Sequence, residues 1–134
     1  MIRPCFLVID REFPGSISTR KLVLETAKFN VLTAYSGSEA LETFRRYPAL
    51  DGVVMDGEMD DISAEDLARS FKAVTPDVPI IVISVVGGPE CPSADFRVES
   101  FQPAKLLETL RGLKPVESEQ IEKRDEELSK EKLS

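Results

Sequence analysis

Three short apolar runs, each stopped by a polar residue, constrain this chain more than anything else in it. Phe6-Leu7-Val8-Ile9 stops at Asp10, Val53-Val54-Met55 at Asp56, and Ile80-Ile81-Val82-Ile83 at Ser84. Runs that are short, β-branched and wholly apolar suit strands buried on both faces, as in a parallel sheet. Ligand sites in such sheets form at the carboxyl ends of the strands. Two carboxylates and a hydroxyl are therefore expected on one edge of one sheet, a set of groups suited to phosphate or a metal rather than to sugar or lipid.

At 134 residues the chain has room for one domain with a real core and a short appendage. A net charge of −7 argues against sequence-independent nucleic-acid binding, which needs a basic face. The first apolar run is too short for a signal peptide, and no run is long enough to span a membrane, so a cytoplasmic protein is expected. Cys5 and Cys91 lack metal-site or redox-motif spacing and read as free thiols. The absence of histidine removes imidazole metal sites and His-based triads.

Along the chain, strands are predicted at residues 5–10, 30–34, 52–56, 79–84 and, weakly, 96–98. Helices are predicted at 16–28, after Ser36, and from Ser63 to about Val74. Ser36-Gly37-Ser38-Glu39 has capping-box spacing, and Ser63-Ala64-Glu65-Asp66 is a second capping signal. A last helix begins at Pro103, with Gly112 as its stop. Between Ser84 and Phe96, Gly87, Gly88, Pro89 and Pro92 break both helix and strand, so no helix longer than one turn is expected there. The composition turns to Glu, Lys, Ser and Asp after residue 113. Residues 1–113 therefore read as the domain. Residues 114–134 read as a charged tail, either solvated and disordered or partly helical, or else a helix for a partner. Alternating strands and helices imply an α/β doubly wound parallel sheet. Right-handed crossovers and strand order 2-1-3-4-5 bring Asp10 and Asp56 together.

Over residues 4–112 the chain resembles a bacterial response regulator receiver domain, a flavodoxin-like fold. The resemblance lies in FLVID, TAYSGSEAL, DGVVMD, PIIVIS, and Phe101 before a leucine-rich last helix. It implies that Asp56 is the phosphoacceptor and Asp10 one acid of a magnesium-binding pair, with Ser84 and Phe96 as switch residues. It also implies a place in two-component, phosphorelay-type signalling, with a protein partner such as a histidine kinase; nucleic acid and membrane are not expected as partners, on the charge and the short apolar runs noted above.

Several family positions differ. The second acid of the metal pair is Arg11, the phosphoryl-contacting lysine is Glu99, and the proline after it is Ser100. Val85 replaces a small residue, Asp60-Asp61 replaces a Pro-Gly turn, and the fourth helix has no room. Phosphoryl transfer to a carboxylate needs a cation to neutralise the incoming oxygens. Asp10 and Asp56, with Glu58 as a third ligand if it turns inward, would hold magnesium only weakly beside Arg11. The reading is a degenerate single-domain receiver, not an enzyme and without a resident cofactor, that binds a protein partner with phosphorylation weakened or lost. The alternative is a working phosphoacceptor at Asp56. A remote one is an aspartyl-phosphate phosphatase, suggested loosely by Asp56-Gly57-Glu58. Arg11 is expected to stand in for the metal and pair with Asp56, Glu99 or Asp10, unless it points to solvent and Glu99 faces away.

Overall fold

The computed structural model describes residues 3–11, 19–99 and 102–133. The elements run β1 (Cys5–Ile9), α1 (Thr19–Thr26), β2 (Asn30–Ala34), α2 (Gly37–Arg46), β3 (Gly52–Asp56), α3 (Ala64–Val74), β4 (Ile80–Ser84), β5 (Phe96–Glu99), α4 (Pro103–Leu113) and α5 (Pro115–Leu133). The five strands form one sheet in the order β2-β1-β3-β4-β5, with every pairing parallel. This is the flavodoxin-like sheet that the apolar runs and the crossover rules predict.

Successive strand side chains point to opposite faces, so one apolar run feeds two cores. Leu7, Ile9, Val53, Met55, Ile80 and Val82 face one way and pack with Ala40 and Phe44 of α2 and Leu67 and Phe71 of α3. Phe6, Val8, Val54, Ile81 and Ile83 face the other way and meet Val23 and Leu24 of α1 and Leu106 and Leu110 of α4.

The predicted start of α1 at residue 16, and Pro14-Gly15 before it, which the sequence gives as a turn signal, lie outside the described residues. The helix ends in a Schellman arrangement. The Phe29 N–H donates to the Leu24 carbonyl and the Lys28 N–H to the Glu25 carbonyl, both at 3.0 Å, with Lys28 at φ 64. Phe29 and Leu24 are both buried in the second core, so the cap is held by packing although a lysine occupies the left-handed position.

Both capping signals are used. The Ser36 and Ser63 side chains accept from the Glu39 and Asp66 N–H groups, each at 3.1 Å. The Asp61 carboxylate adds a clamp that sequence reading missed. It accepts from the Gly37 N–H at 2.8 Å and from the Ser38 N–H and hydroxyl at 3.0 Å each. These bonds hold the Asp61 carboxyl at about 2, below its ordinary value near 4. A Cβ on Gly37 would lie 2.9 Å from both Asp61 Oδ1 and Ile62 Cβ, so only glycine allows this approach.

Residues 85–95 contain no helix, as Gly87, Gly88, Pro89 and Pro92 predict. The segment is nevertheless anchored. Asp95 accepts from the Ile80 N–H at 2.8 Å and pairs with Lys72 at 2.9 Å, while Ser93 donates twice to Glu65. Cys91 and Ala94 cover the first core where a helix would have lain. Cys5 and Cys91 are free, and burial is the main cause raising both thiols above the ordinary value.

At the C-terminal end one expectation, the Gly112 stop, needs correction, and of the alternatives for the tail a helix is found. Gly112 does not stop α4, which continues to Leu113 before the chain bends at Lys114 and restarts with Pro115 at the head of α5. The charged tail is helical through Leu133, and it is docked. Ile121 is 3% exposed within the second core, Lys114 pairs with Asp51 at 3.0 Å, and Arg111 pairs with Glu122 at 3.4 Å. One buried isoleucine among dense charges is too sparse a pattern to signal docking in the sequence.

Ile121→Ala should lower unfolding free energy by about 2 kcal/mol, the low end for a buried isoleucine. A change below about 0.5 kcal/mol in urea denaturation would place that side chain in solvent. The Asp61 clamp predicts a pH dependence. A carboxyl whose folded value is depressed contributes stability above its unfolded value and loses it as pH falls through the folded one. Asp61→Ala should cost on the order of 1 kcal/mol at neutral pH, comparable to a lost cap. The gap to the parent should close between about pH 4 and pH 2.

Candidate functional site

Strand order builds the site. Because β1 lies beside β3, with Ile9 opposite Met55, the next residues Asp10 and Asp56 share the carboxyl edge of the sheet. Asp56 lies opposite Ile83 of β4, so Ser84 comes next along the same edge. Gly57 makes this close packing possible. Its N–H donates to the Ile83 carbonyl at 2.8 Å, and an added Cβ would lie 3.1 Å from Ser84 Cβ.

Two largely sequestered carboxylates at one edge repel, by about 4 kcal/mol for charges 4 Å apart at an effective dielectric of 20. Arg20, in the first turn of α1, supplies the compensating charge. Its Nη1 lies 2.5 Å from Asp10 Oδ1 and 3.2 Å from Asp56 Oδ2. The three side chains are largely sequestered, Asp10 at 7%, Asp56 at 13% and Arg20 at 20% exposure. Backbone donors complete the arrangement. The Arg11 N–H donates to Asp10 Oδ1 at 2.9 Å and the Glu58 N–H to Asp56 Oδ1 at 2.8 Å. Both oxygens of Asp56 thus accept a hydrogen bond, one from the arginine and one from the backbone.

The other predicted site residues fall as follows. The Arg11 guanidinium does not enter the Asp10–Asp56 space. It pairs with Glu58 at 3.7 Å on the exposed rim of a cavity of about 280 Å³ that Met59, Asp60 and Pro89 also line. The expected exchange of Arg11 for the metal is therefore corrected: an arginine does neutralise the two aspartates, but it is Arg20. Glu99 reaches the same sheet edge, opposite Ser84, but is exposed and forms no ion pair among the described residues. Phe96 lies opposite Ile81, three residues back along the strand, and is 40% exposed. The Ser84 hydroxyl is buried and has no hydrogen-bond partner among the described residues. Ser100 and Phe101 lie outside the described residues.

Arg20 left a trace in the sequence. It precedes Val23, Leu24 and Ala27 by three, four and seven residues, so it stands on the inward stripe of α1. A charged residue on an apolar stripe needs a buried partner, and here the partners are the aspartates at the ends of β1 and β3.

A divalent ion fits these residues poorly. Magnesium favours several oxygen ligands, carboxylates and water among them. Here a guanidinium spans the two aspartates, Glu58 is engaged by Arg11, and no group of three acids able to hold a metal occurs among the described residues.

Removing one partner of a buried ion pair leaves an uncompensated charge, which is strongly destabilising. Arg20→Ala should therefore cost about 3 kcal/mol, whereas Arg11→Ala, at an exposed pair, should cost about 1 kcal/mol or less. Equal effects of the two substitutions in chemical denaturation would contradict this assignment of the buried cation.

No model of a known protein family matches the chain. Among curated proteins, GlrR, a transcriptional regulatory protein of Escherichia coli, is 29% identical over 85 residues, covering 63% of this chain and 19% of GlrR. PrrA, a transcriptional regulatory protein of Mycobacterium tuberculosis, is 27% identical over 117 residues, covering 82% of this chain and 49% of PrrA. The chain thus spans about a fifth of one relative and about half of the other. A solved receiver domain protein of Methanospirillum hungatei shares the fold, with a TM-score of 0.72 at 19% identity, over 89% of this chain and 98% of that one. The response regulator TrrA of Thermotoga maritima, solved in complex with Mg²⁺ and BeF, has a TM-score of 0.68 and 30% identity. That match covers 82% of this chain and 98% of TrrA. No helix among the described residues is long and apolar enough to cross a membrane. With its strand order, its strand-end aspartates and a solved relative matched over nearly its full length, the chain belongs to the response regulator receiver domains of two-component signalling.

Proposed function

We propose that this receiver domain acts in the cytoplasm by binding a protein partner, with phosphorylation of Asp56 weakened or lost and without catalytic turnover of its own. The observation that carries this reading is the engagement of Asp56. A carboxylate attacks phosphorus with a free lone pair, and a cation must meet the incoming oxygens. Asp56 Oδ2 is held by Arg20 at 3.2 Å and Oδ1 by the Glu58 N–H at 2.8 Å. The cation present is already shared between two carboxylates. Among the described residues, the acids of this edge, Asp10, Asp56, Glu58 and Glu99, outnumber the arginines paired there, Arg11 and Arg20, and that excess of negative charge repels a phosphoryl donor. A histidine kinase is one candidate partner, since the relatives belong to two-component pathways.

One observation favours the working phosphoacceptor as a second reading. The Ser84 hydroxyl is buried beside Gly57 without a partner among the described residues, and a phosphoryl oxygen on Asp56 would give it one. Intact-mass measurement separates the two. On incubation with acetyl phosphate and magnesium, alongside TrrA as a comparison, the protein should keep its mass. A gain of one phosphoryl group that Asp56→Asn abolishes would establish the second reading instead.

A further inference from the structure

We infer that Arg20 is a tethered counter-cation that excludes divalent metal from the receiver edge. The role deepens, and rests on, the reading of this edge as a receiver site with its phosphoryl chemistry lost. The argument begins with space. Arg20 Nη1 is 2.5 Å from Asp10 Oδ1 and 3.2 Å from Asp56 Oδ2, so one nitrogen lies between two carboxylates from adjacent strands. An ion bound by both aspartates needs that same position, and the two cannot share it.

Charge and tethering favour the arginine. The guanidinium remains protonated at every physiological pH and sheds less hydration on burial than a small divalent ion, which gives up its water reluctantly. It is also held nearby by its own helix. Val23 and Leu24, one turn on from Arg20, are buried in the second core, and the Schellman cap at Lys28 fixes the far end of α1. Its effective concentration at the edge is therefore high and independent of the ion concentration in solution. Arg11 guards the rim rather than the centre: its pair with Glu58 removes the nearest further acid from the ligand set.

The two aspartates are otherwise placed to hold an ion. Backbone hydrogen bonds orient both, from Arg11 to Asp10 and from Glu58 to Asp56, and neither depends on Arg20. Replacing Arg20 by a neutral side chain removes the guanidinium that lies between two oriented, adjacent anions. Such a pair gains strongly from a divalent ion, and the ion in turn stabilises the fold by binding only the native state.

The test compares the full chain with Arg20→Gln. Manganese is added as a paramagnetic probe while amide resonances are followed, and melting temperature is measured with and without millimolar magnesium at matched ionic strength. The parent should show no selective broadening at Asp10 and Asp56 and no magnesium-dependent rise in Tm. Arg20→Gln should show both. If Arg20→Gln is unfolded in buffer, magnesium should restore its folded spectrum. The inference is overturned if manganese broadens Asp10 and Asp56 in the parent as strongly as in the variant. It is equally overturned if the folded variant shows no selective broadening, or if an unfolded variant is not recovered by magnesium. Phosphorylation of the parent by acetyl phosphate would instead overturn the reading of lost phosphoryl chemistry, so the two failures remain distinct.

Discussion

Two aspartates at the ends of neighbouring parallel strands repel each other unless a cation lies between them, and that requirement organises this molecule. Both carboxylates are largely sequestered at the sheet edge, which strengthens their repulsion. The order β2-β1-β3-β4-β5 makes Asp10 and Asp56 neighbours. Here the cation comes from the chain itself, on the first turn of α1. The placement of α1 is therefore part of the site. The packing of Val23 and Leu24, and the cap in which Phe29 folds back on Leu24, set where the guanidinium can reach.

The loop after β3 joins this edge to the surface. The Glu58 N–H orients Asp56, Gly57 lets the loop lie against Ser84, and Asp61 grips the first turn of α2. A substituent at Gly57 or a protonated Asp61 would disturb the site and the helix surface together. The departure of Asp60-Asp61 from a Pro-Gly turn thus has a physical function in this chain, because the second aspartate works as a cap for another helix.

The far side of the sheet is shaped by the missing helix. A segment tied down by Asp95, Ser93, Lys72 and Glu65 covers the first core with two small contacts, Cys91 and Ala94. Val85, Val86 and Phe96 are left exposed around it. At the other end, α5 closes over the second core with Ile121. The surfaces offered to a partner therefore differ from those of a receiver that carries a helix between β4 and β5.

Strands, caps and the broken crossover were legible in the sequence because each is written locally. The apolar runs at Phe6, Val53 and Ile80 report burial on both faces, Ser36 and Ser63 report helix starts, and paired glycines and prolines report a break. The meeting of Asp10, Asp56 and Ser84 followed from topology rules applied to those elements. The partner of the two aspartates did not. Arg11 was the arginine nearest in sequence, yet its side chain leaves the strand end toward Glu58, while Arg20, ten residues from Asp10, faces inward. The burial of Ile121 and the grip of Asp61 on α2 were hidden for the same reason. Periodicity and capping depend on neighbours along the chain, so sequence alone determined the elements and the acidic edge. Ion pairing and docking depend on where separate elements meet in space, and only the tertiary structure decided those.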